Sequence, residues 1–435
     1  MAYYRDVWLL PIERGNNKLY TASLVDSEFN AIEDSLLVRG KKAYQEGYVS
    51  GISNVSATIE SSLFFGGIIF LHYGHFITES LSRLYAWDPI KYDKIIFSVV
   101  GPAKHFSELP QWIVNLLSIY GINESNLVLL NVNTKCDSVY CVKPGFTLNG
   151  WFDKKHINYL ADKLKDNKAK LRDTSFDKVF ISRSRFSKGN VAGESYLDKV
   201  FSDNGFYILH PQNHDIFYQL SVLRNARVIA GISGSAFHTV MLLDKKPEKI
   251  FEICRRGKIN GTQKIINDAL GIGTKNLNYI VDENTSTSGS AIKIKLNECL
   301  DDLKSLGVIE DFMAIDDELL NTEYELLQRY EHLSIIINKY NSKHLANILA
   351  DDDVNLLESL IENFPQLPGP FFHLAKVKFG LGDYKSSLKL ARKAVNLCPK
   401  NVTYWGFLCE LYKKLGDKLN FSKTKTKLDS LRDKV

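Results

Sequence analysis

Two successive series of short apolar segments alternate with amphipathic helical segments along this chain, and this alternation constrains its fold more than any other feature. The first series spans about residues 61–150 and includes the strands KIIFSVV and NLVLLN. The second follows a charged helical segment at 156–171 and includes KVFIS, RVIAG and KIFEIC. Short apolar strands that alternate with helices form parallel βαβ units. The sequence therefore predicts an α/β fold with two Rossmann-like lobes and a cleft between them.

The division of the chain into domains follows from these two series. At roughly 100–200 residues per domain, a length of 435 residues suggests about two to four domains. We expect an N-terminal Rossmann-like lobe at 1–155, a C-terminal Rossmann-like lobe at 156–290, a helical linker at 291–340 and a helical tail at 341–435. The Ser/Thr/Gly-rich stretch at 282–291 is typical of a loop or linker.

The tail contains an internal repeat. Phe371, Leu374, Gly382 and Asp383 recur 34 residues later as Trp405, Leu408, Gly416 and Asp417. An aromatic residue, a leucine and a Gly-Asp pair at this period are typical of a tetratricopeptide unit. About three such units are needed for stability and only about two are visible, so we expect the tail to take support from the lobes, through the helices at 295–345, or from a second copy of the chain. The alternative is an ordinary α-helical cap.

Charge and cysteine content argue against several classes of protein. A net charge of +5 over 435 residues is too weak and dispersed to indicate nucleic-acid binding. None of the six cysteines forms a C-x-x-C pair, which argues against a zinc site and a disulfide scaffold. The first residues lack the pattern of a signal peptide, and the most apolar early stretch is shorter than the roughly 20 residues of a membrane helix. We therefore expect a cytoplasmic protein with at most peripheral membrane contact.

The first candidate site lies where a strongly apolar strand leads into a helix. His75, Glu79 and Arg83 are spaced i, i+4 and i+8, so we expect them on one helical face. A carboxylate one turn from a histidine orients the imidazole and raises its basicity, which suits a general base for a sugar hydroxyl. His72 and Arg83 are expected on the acceptor side of this site. Spacing alone favours the alternative, a helix N-terminus with a surface ion pair between Glu79 and Arg83.

The second candidate site is the loop ISRSRFSKGN at 181–190, which follows the apolar strand KVFIS. Clustered cations on a strand-end loop bind diphosphates, and the planar fork of arginine grips phosphate oxygens in pairs. Arg183 and Lys188 are therefore candidate donor-binding residues. A solvated basic loop is the alternative.

A glycine-containing turn between a strand and a helix, GISGSAFH at 231–238, is the third candidate site. Glycine lets the backbone approach a ligand, and the first turn of a helix offers unpaired N–H groups and the positive end of the helix dipole. The pattern is neither a P-loop nor a dinucleotide fingerprint, and a tight turn without a ligand explains it equally. The candidate donor-binding residues of this turn are Gly234, Ser235, Ala236 and His238.

Two acidic features complete the candidate sites. Glu252 ends the strand KIFEIC, where a carboxylate accepts hydrogen bonds from a ribose in nucleotide-binding α/β folds. Pairing of Glu252 with Arg255 or Arg256 is an equal alternative. The only D-x-D sequence, Asp351–Asp353, lies outside both α/β series. We therefore expect no metal to hold a donor diphosphate and no cofactor beyond a nucleotide-sugar co-substrate.

Taken together, these motifs resemble the glycosyltransferases of family 61, also called DUF563. The resemblance covers about residues 60–255. The residues that carry it are Gly74-His75-Phe76, Glu79, Arg83-Leu84, Ile181-Ser182-Arg183, Gly193-Glu194, Gly205-Phe206, the 231–239 turn and Glu252. The chain departs from the family pattern at three positions, where Lys188 replaces a second arginine and Gly193 and Thr239 replace asparagines.

The resemblance implies a GT-B fold, an inverting mechanism and no metal requirement. Members that resemble this chain often act in bacterial capsule or lipopolysaccharide synthesis, which implies a glycan or lipid-linked glycan acceptor and a cytoplasmic location, at most peripheral to the inner membrane. In the predicted reaction His75 or Glu79 deprotonates the acceptor hydroxyl, and the second lobe holds the nucleoside diphosphate as leaving group.

Two other hypotheses stay open at this point. One is a non-catalytic scaffold with inactive lobes, whose tail docks a protein partner or a second copy of the chain. The other is a nucleotide-sugar epimerase, which fits less well because it does not need an acceptor-side helix.

Overall fold

The computed structural model describes residues 2–14, 19–46, 57–59, 62–186, 189–257, 260–281 and 290–432. Two features predicted from the sequence lie outside these ranges: the candidate residue Lys188 and most of the Ser/Thr/Gly-rich stretch at 282–291.

The strands are short except for three of eight residues each. They are β1 (Ala2–Leu9), β2 (Tyr20–Thr21), β3 (Leu24–Val25), β4 (Val38–Arg39), β5 (Lys42–Ala43), β6 (Gln45–Glu46), β7 (Ala57–Ile59), β8 (Leu63–Phe70), β9 (Lys94–Val100), β10 (Leu127–Leu130), β11 (Thr134–Cys141), β12 (Lys178–Ile181), β13 (Tyr207–Leu209), β14 (Val228–Ile232), β15 (Lys249–Ile253) and β16 (Gly273–Leu277).

The helices become longer toward the C-terminus. They are α1 (Tyr73–His75), α2 (Gln111–Ile119), α3 (Lys154–Asp166), α4 (Glu194–Asp203), α5 (Ile216–Asn225), α6 (Gly261–Leu270), α7 (Leu296–Ser305), α8 (Asp317–Lys339), α9 (Ser342–Ile348), α10 (Asp351–Asn363), α11 (Pro368–Gly380), α12 (Tyr384–Leu397), α13 (Val402–Lys414) and α14 (Lys418–Arg432). A π-helical turn covers Phe76–Ser80, and 3-10 helices cover Glu33–Ser35, Leu84–Ala86, Phe106–Glu108, Lys168–Lys170, Pro211–Asn213 and Ser235–Leu242.

The first sheet has seven strands in the order β10-β9-β8-β11-β1-β3, and β7 also pairs with β11. The parallel pairing predicted for the segment from 61 to 150 is confirmed, because β8, β9 and β10 are parallel neighbours. The sequence did not predict β11, which lies parallel to β8 and antiparallel to β1. The first sheet is therefore mixed rather than purely parallel.

The second sheet has five parallel strands in the order β13-β12-β14-β15-β16. Every residue of β14 is buried, as expected for a central strand covered on both faces. The carboxyl ends of parallel strands meet at one edge of a sheet, and ligands of open α/β sheets bind there. The loops after β12 and β14 share this edge and carry the candidates Arg183, Gly234, Ser235, Ala236 and His238, whereas Glu252 lies within β15.

One apolar core joins the two sheets. Phe76 and Ile113 from the first half of the chain belong to the same buried cluster as Leu220, Phe237 and Val240 from the second. The α/β class is confirmed, whereas the domain boundaries and the GT-B arrangement stay predictions.

The helical C-terminal region is confirmed, and the starts of its last four helices follow a spacing of 34 residues. α11 and α13 begin 34 residues apart, as do α12 and α14. Gly382 and Gly416 at the equivalent turns have φ angles of 82° and 71°, which favour glycine. After each glycine an aspartate caps the next helix, because Asp383 accepts from the Ser386 amide and Asp417 from the Asn420 amide. Assignment to the tetratricopeptide family stays a prediction.

One continuous helix, α8, connects the second lobe with the tail. Leu320 near its start belongs to the core of the second lobe. Leu327, Leu333 and Ile337 farther along form the core of the tail together with α9 to α11. The tail therefore takes support from the lobes through the helices at 295–345, as expected. Within the described ranges, no helix is both long and apolar enough to cross a membrane.

Candidate active site

A histidine, a glutamate and an arginine form a hydrogen-bonded chain beyond the carboxyl end of β8. His75 Nδ1 lies 2.6 Å from Glu79 Oε2, and Arg39 donates to both Glu79 oxygens at 2.7 and 3.0 Å. Only 2% of the Glu79 side chain is exposed, whereas 39% of the His75 side chain is exposed. The contact predicted from the i, i+4 spacing is confirmed. It fixes one edge of the imidazole and leaves part of the ring accessible to a substrate.

The local backbone explains this geometry. All of β8 is buried, and after it ends at Phe70 a single helical turn, α1, leads directly into the π-helical turn Phe76–Ser80. π-helical turns are rare and occur frequently at functional sites. Because the segment is not a regular α-helix, residues beyond Glu79 do not continue the helical face that a period of 3.6 residues predicts.

Arg83 is the clearest departure from the predicted site. Its guanidinium is buried in the first lobe and donates to the carbonyl oxygens of Leu36 at 2.8 Å and Val142 at 2.9 Å. The carboxylate of Glu79 pairs instead with Arg39 and His75. The predicted shared face and the alternative Glu79–Arg83 ion pair are both wrong. Arg83 ties loops of the first lobe together, and an acceptor-side contact does not fit this position.

The turn after β14 touches the segment that carries His75. A Cβ on Gly74 would lie 2.8 Å from Ser235 Cβ and 3.5 Å from His238 Cδ2. The Tyr73 and Thr239 hydroxyl oxygens lie 2.8 Å apart across the same contact. The first and third candidate sites, which are far apart in sequence, therefore meet at the carboxyl edge of the second sheet. The predicted helix after Gly234 is a 3-10 helix, Ser235–Leu242.

The histidines at this contact are electrostatically coupled. Burial lowers the pKa of His238 to about 4, against the hydrogen bond to Gln263, and the neighbouring His75 and His72 lower it further. Burial and the nearby His75 also lower the pKa of His72. His238 is therefore uncharged at neutral pH. The His72 and His75 ring centroids lie 5.2 Å apart, and the acceptor-side role of His72 stays a prediction.

Two half-buried arginines lie at the same edge of the second sheet. Arg183 follows β12 and lies beside Gly234, where a Cβ would be 3.2 Å from Arg183 Nη1. Burial lowers the pKa of Arg183, and burial together with the Arg183 charge lowers the pKa of Arg255 to about 10. Burial raises the pKa of Glu194 to about 7, opposed by Arg183. Arg256 and Glu331 also act on the charge of Arg255, and burial raises the pKa of Glu331 as well. Three guanidinium groups near two carboxyl groups whose pKa burial raises leave an excess of positive charge that suits an anion.

Glu252 does not join these residues. Its carboxyl group lines a separate cavity of about 170 Å³ together with Asn267 and Asn276, between β15, β16 and α6. Neither carboxyl oxygen has a hydrogen-bond partner among the described residues, so the alternative of a pair with Arg255 or Arg256 is wrong. Burial raises the pKa of Glu252 to about 7. No hydrogen bond joins Glu252 to Arg183, Ser235 or His238, and both its predicted gathering with them and its contact with a ribose stay predictions.

The D-x-D sequence has a structural explanation. Asp351–Asp353 form the first turn of α10 in the tail, and Asp353 Oδ2 accepts from the Ala350 amide at 3.1 Å. Acidic residues in the first turn stabilise a helix through its dipole. These carboxylates belong to the tail and not to the contact between the lobes.

Comparison with known proteins gives one informative match. Residues 73–250 match the family model of Glycosyltransferase 61. This match supports family 61 and a glycosyltransferase activity, with sugar donor and acceptor as substrates. It begins at Tyr73, includes His75, Glu79, Arg183 and His238, and ends two residues before Glu252.

The remaining comparisons add little. No curated protein sequence matches the chain. Among solved structures, "MamA RS-1 ArsTM double mutant" is similar at 17% identity, over 31% of this chain and 72% of that chain, with a TM-score of 0.21. "MamA 41-end from Desulfovibrio magneticus RS-1" is similar at 18% identity, over 31% of this chain and 84% of that chain, with a TM-score of 0.19.

Three residues of the site were missed from the sequence. Arg39 lies on a hairpin between β4 and β5, 40 positions before its partner Glu79. Arg255 was considered only as a partner of Glu252, and Gln263 lies in a helix, α6, that the sequence analysis did not identify. Of these three residues, only Arg255 had a signal in the sequence. It is a positive charge two residues after Ile253, where β15 ends.

Proposed function

We propose that the chain is an inverting glycosyltransferase that moves a sugar from a nucleotide-sugar donor to a hydroxyl group of a glycan acceptor, with the two lobes in a GT-B arrangement. The observation that carries this proposal is the contact between the His75 segment and the Ser235–His238 turn. It brings an oriented imidazole to the edge of a parallel sheet where nucleotides bind in α/β folds. The family 61 match over the same residues gives independent support.

His75 acts as the general base and Glu79 orients it. Both Glu79 oxygens are engaged, by Arg39 and by His75, and the side chain is nearly inaccessible. The Nδ1 atom of His75 is held by Glu79, which leaves Nε2 to take the proton of the acceptor hydroxyl. The acceptor oxygen then forms its bond to the anomeric carbon on the face opposite the diphosphate, and the bond from that carbon to the diphosphate oxygen breaks with its electron pair.

The leaving diphosphate binds to Arg183 and Arg255, beside the backbone of Gly234, Ser235 and Ala236. The two guanidinium groups supply positive charge in a largely buried setting, where it acts more strongly than in water. Lys188, outside the described residues, belongs to the same loop. Glycine at 234 allows the close approach of Arg183 to the turn.

No divalent metal takes part in the proposed reaction. The two arginines carry the charge that a metal carries in other transferases. The only D-x-D sequence caps a helix of the tail.

We propose that the enzyme works in the cytoplasm, in an assembly that synthesises a bacterial surface polysaccharide. The tail docks an acidic protein partner of that assembly. Residues 368–432 contain 14 Lys and Arg against four Asp and Glu, although the whole chain carries a net charge of only +5. Like charges repel, so this surface suits an acidic protein better than a second copy of itself.

A panel of nucleotide sugars tests the proposal. The melting temperature and the release of free nucleoside diphosphate are measured for each donor, with and without EDTA. At least one donor should raise the melting temperature and be slowly hydrolysed, and EDTA should change neither result. A scaffold with inactive lobes shows neither effect, an epimerase converts the sugar without releasing the diphosphate, and strict dependence on manganese or magnesium contradicts the metal-free mechanism.

A further inference from the structure

Three buried side chains behind the cleft, His238, Gln263 and Asn267, form a hydrogen-bond chain with a defined direction. Gln263 Nε2 donates to Asn267 Oδ1 at 2.8 Å. An amide nitrogen donates and an amide oxygen accepts. Gln263 Oε1, which lies 2.7 Å from His238 Nδ1, must therefore accept from the imidazole. The hydrogen of the neutral His238 ring is on Nδ1.

The other ring nitrogen then carries a lone pair. A neutral imidazole has one N–H group and one acceptor nitrogen, so His238 Nε2 is the acceptor. It has no hydrogen-bond partner among the residues that the structure describes. Cδ2, the carbon bonded to Nε2, lies 3.5 Å from the position of a Cβ on Gly74. The Cδ2–Nε2 edge of the ring therefore faces the contact between the lobes.

We propose that His238 Nε2 forms a hydroxyl-binding subsite, which accepts a hydrogen bond from a sugar hydroxyl of the donor or of the acceptor, and that Gln263 is a positioning residue that fixes the tautomer. This inference rests on the proposed function and deepens it. An ionised diphosphate presents only acceptor oxygens and does not pair with a lone pair. A sugar hydroxyl is the complementary donor, and it is available on both substrates.

The tautomer is measured directly by NMR of histidine-labelled protein, with the His238 signals assigned by their loss in His238→Asn. His238 should be in the Nδ1–H form and uncharged at pH 6.5. Gln263→Glu keeps an acceptor at this position and should keep that tautomer, whereas Gln263→Leu should shift the ring toward the Nε2–H form. An Nε2–H tautomer or a protonated ring in the wild type overturns the inference, whether or not a nucleotide binds.

The subsite is tested by His238→Asn, because asparagine retains a donor near the Nδ1 position for Gln263 and removes the acceptor at Nε2. Affinity is measured for uridine, guanosine and cytidine diphosphates and for their hexose conjugates, and transfer is measured to p-nitrophenyl hexosides. Loss of one neutral hydrogen bond corresponds to a change of about twofold to tenfold.

Two results support the subsite and separate the two sources of the hydroxyl. If it belongs to the donor sugar, affinity for the hexose conjugate falls while affinity for the diphosphate is unchanged. If it belongs to the acceptor, both affinities are unchanged and only transfer to the hexosides slows. If affinity for the diphosphate falls as much as affinity for the hexose conjugate, the subsite is overturned. It is also overturned if none of the three measurements changes. A wild type that binds none of these compounds refutes the proposed function instead, and the NMR result still decides the tautomer.

Discussion

Gly74 and Ser235 lie so close that a Cβ on Gly74 would be only 2.8 Å from the Cβ of Ser235. This separation is below the contact distance of two carbon atoms, about 3.5 Å, so only glycine fits at position 74 without displacement of the second lobe. The contact joins the segment of the proposed base to the turn of the proposed donor site. The distance between His75 and the second lobe is therefore set at this position.

Gly74→Ala should push the two segments apart and lower turnover. Misplacement of reacting groups by about 1 Å costs on the order of 10²-fold in rate, so we expect a large loss of activity with a modest fall in melting temperature. Gly406→Ala is the matched control, because nothing lies within 4 Å of a Cβ at that position in α13, and alanine is the better helix former. Wild-type turnover in Gly74→Ala would show that the contact does not define the active site.

Arg183→Ala and Arg255→Ala should each weaken binding of the nucleoside diphosphate. A hydrogen bond to a charged group contributes about 1.5–3 kcal/mol, and calorimetry measures the change. Arg227→Ala is the control, since Arg227 pairs with Asp177 and Glu248 on the surface of the same lobe. Affinities equal to that of the control variant would reject the phosphate-binding role.

Glu252→Gln should stabilise the protein at alkaline pH and not at acidic pH. Burial raises the pKa of Glu252 to about 7 in the folded state, against about 4.3 in an unfolded chain. Below pH 4.3 the raised pKa of Glu252 makes its full contribution to the free energy of unfolding. This contribution is lost as the pH rises through 7. At pH 8 the wild type therefore buries an ionised carboxylate without a hydrogen-bond partner among the described residues, which costs up to about 3.7 kcal/mol at 1.36 kcal/mol per pKa unit.

Glutamine at position 252 is neutral at every pH and removes this dependence. The free energy of unfolding in urea should exceed that of the wild type at pH 8, and the difference should shrink toward pH 4.5. Glu124→Gln, at an exposed position, provides the comparison for a surface carboxylate. A difference that is constant with pH would contradict a raised pKa.

Removal of the tail after residue 339 should expose the apolar side of α8. Leu327, Tyr330, Leu333 and Ile337 are buried against the tail, with at most 4% exposure. We expect a truncated protein that self-associates or unfolds at a lower temperature, measured by light scattering and thermal melting. If the shortened protein keeps the mass, stability and activity of the full chain, the tail has neither a supporting nor a docking role.

Local patterns predicted the parts of the site that depend on near neighbours in sequence. The His75–Glu79 contact follows from a spacing of one helical turn, and the position of Arg183 follows from the end of a buried strand. The equal spacing of the last four helices follows from the Gly-Asp pairs, since Gly382 and Gly416 adopt the same left-handed backbone.

Contacts between distant segments were not accessible in the same way. Arg39, the last residue of β4, reaches Glu79 across 40 positions of sequence, and no pattern links the two residues. Arg83 does not lie on the helical face that its i, i+8 spacing from His75 predicts, because the π-helical turn changes the number of residues per turn. Glu252 lines a cavity with Asn267 of α6 and Asn276 of β16, and the sequence did not show which face of β15 its side chain would take.

The most direct test of the active site compares the wild type with His75→Ala under single-turnover conditions, with the donor that gives the largest melting shift. Loss of a general base costs about 10²–10⁴ in rate, so turnover should fall by that factor while affinity for the donor and the melting temperature stay near those of the wild type. His105→Ala, an exposed histidine of the same lobe, should have no effect. Wild-type turnover in His75→Ala, with the donor bound normally, would contradict the assignment of this cleft as the catalytic centre.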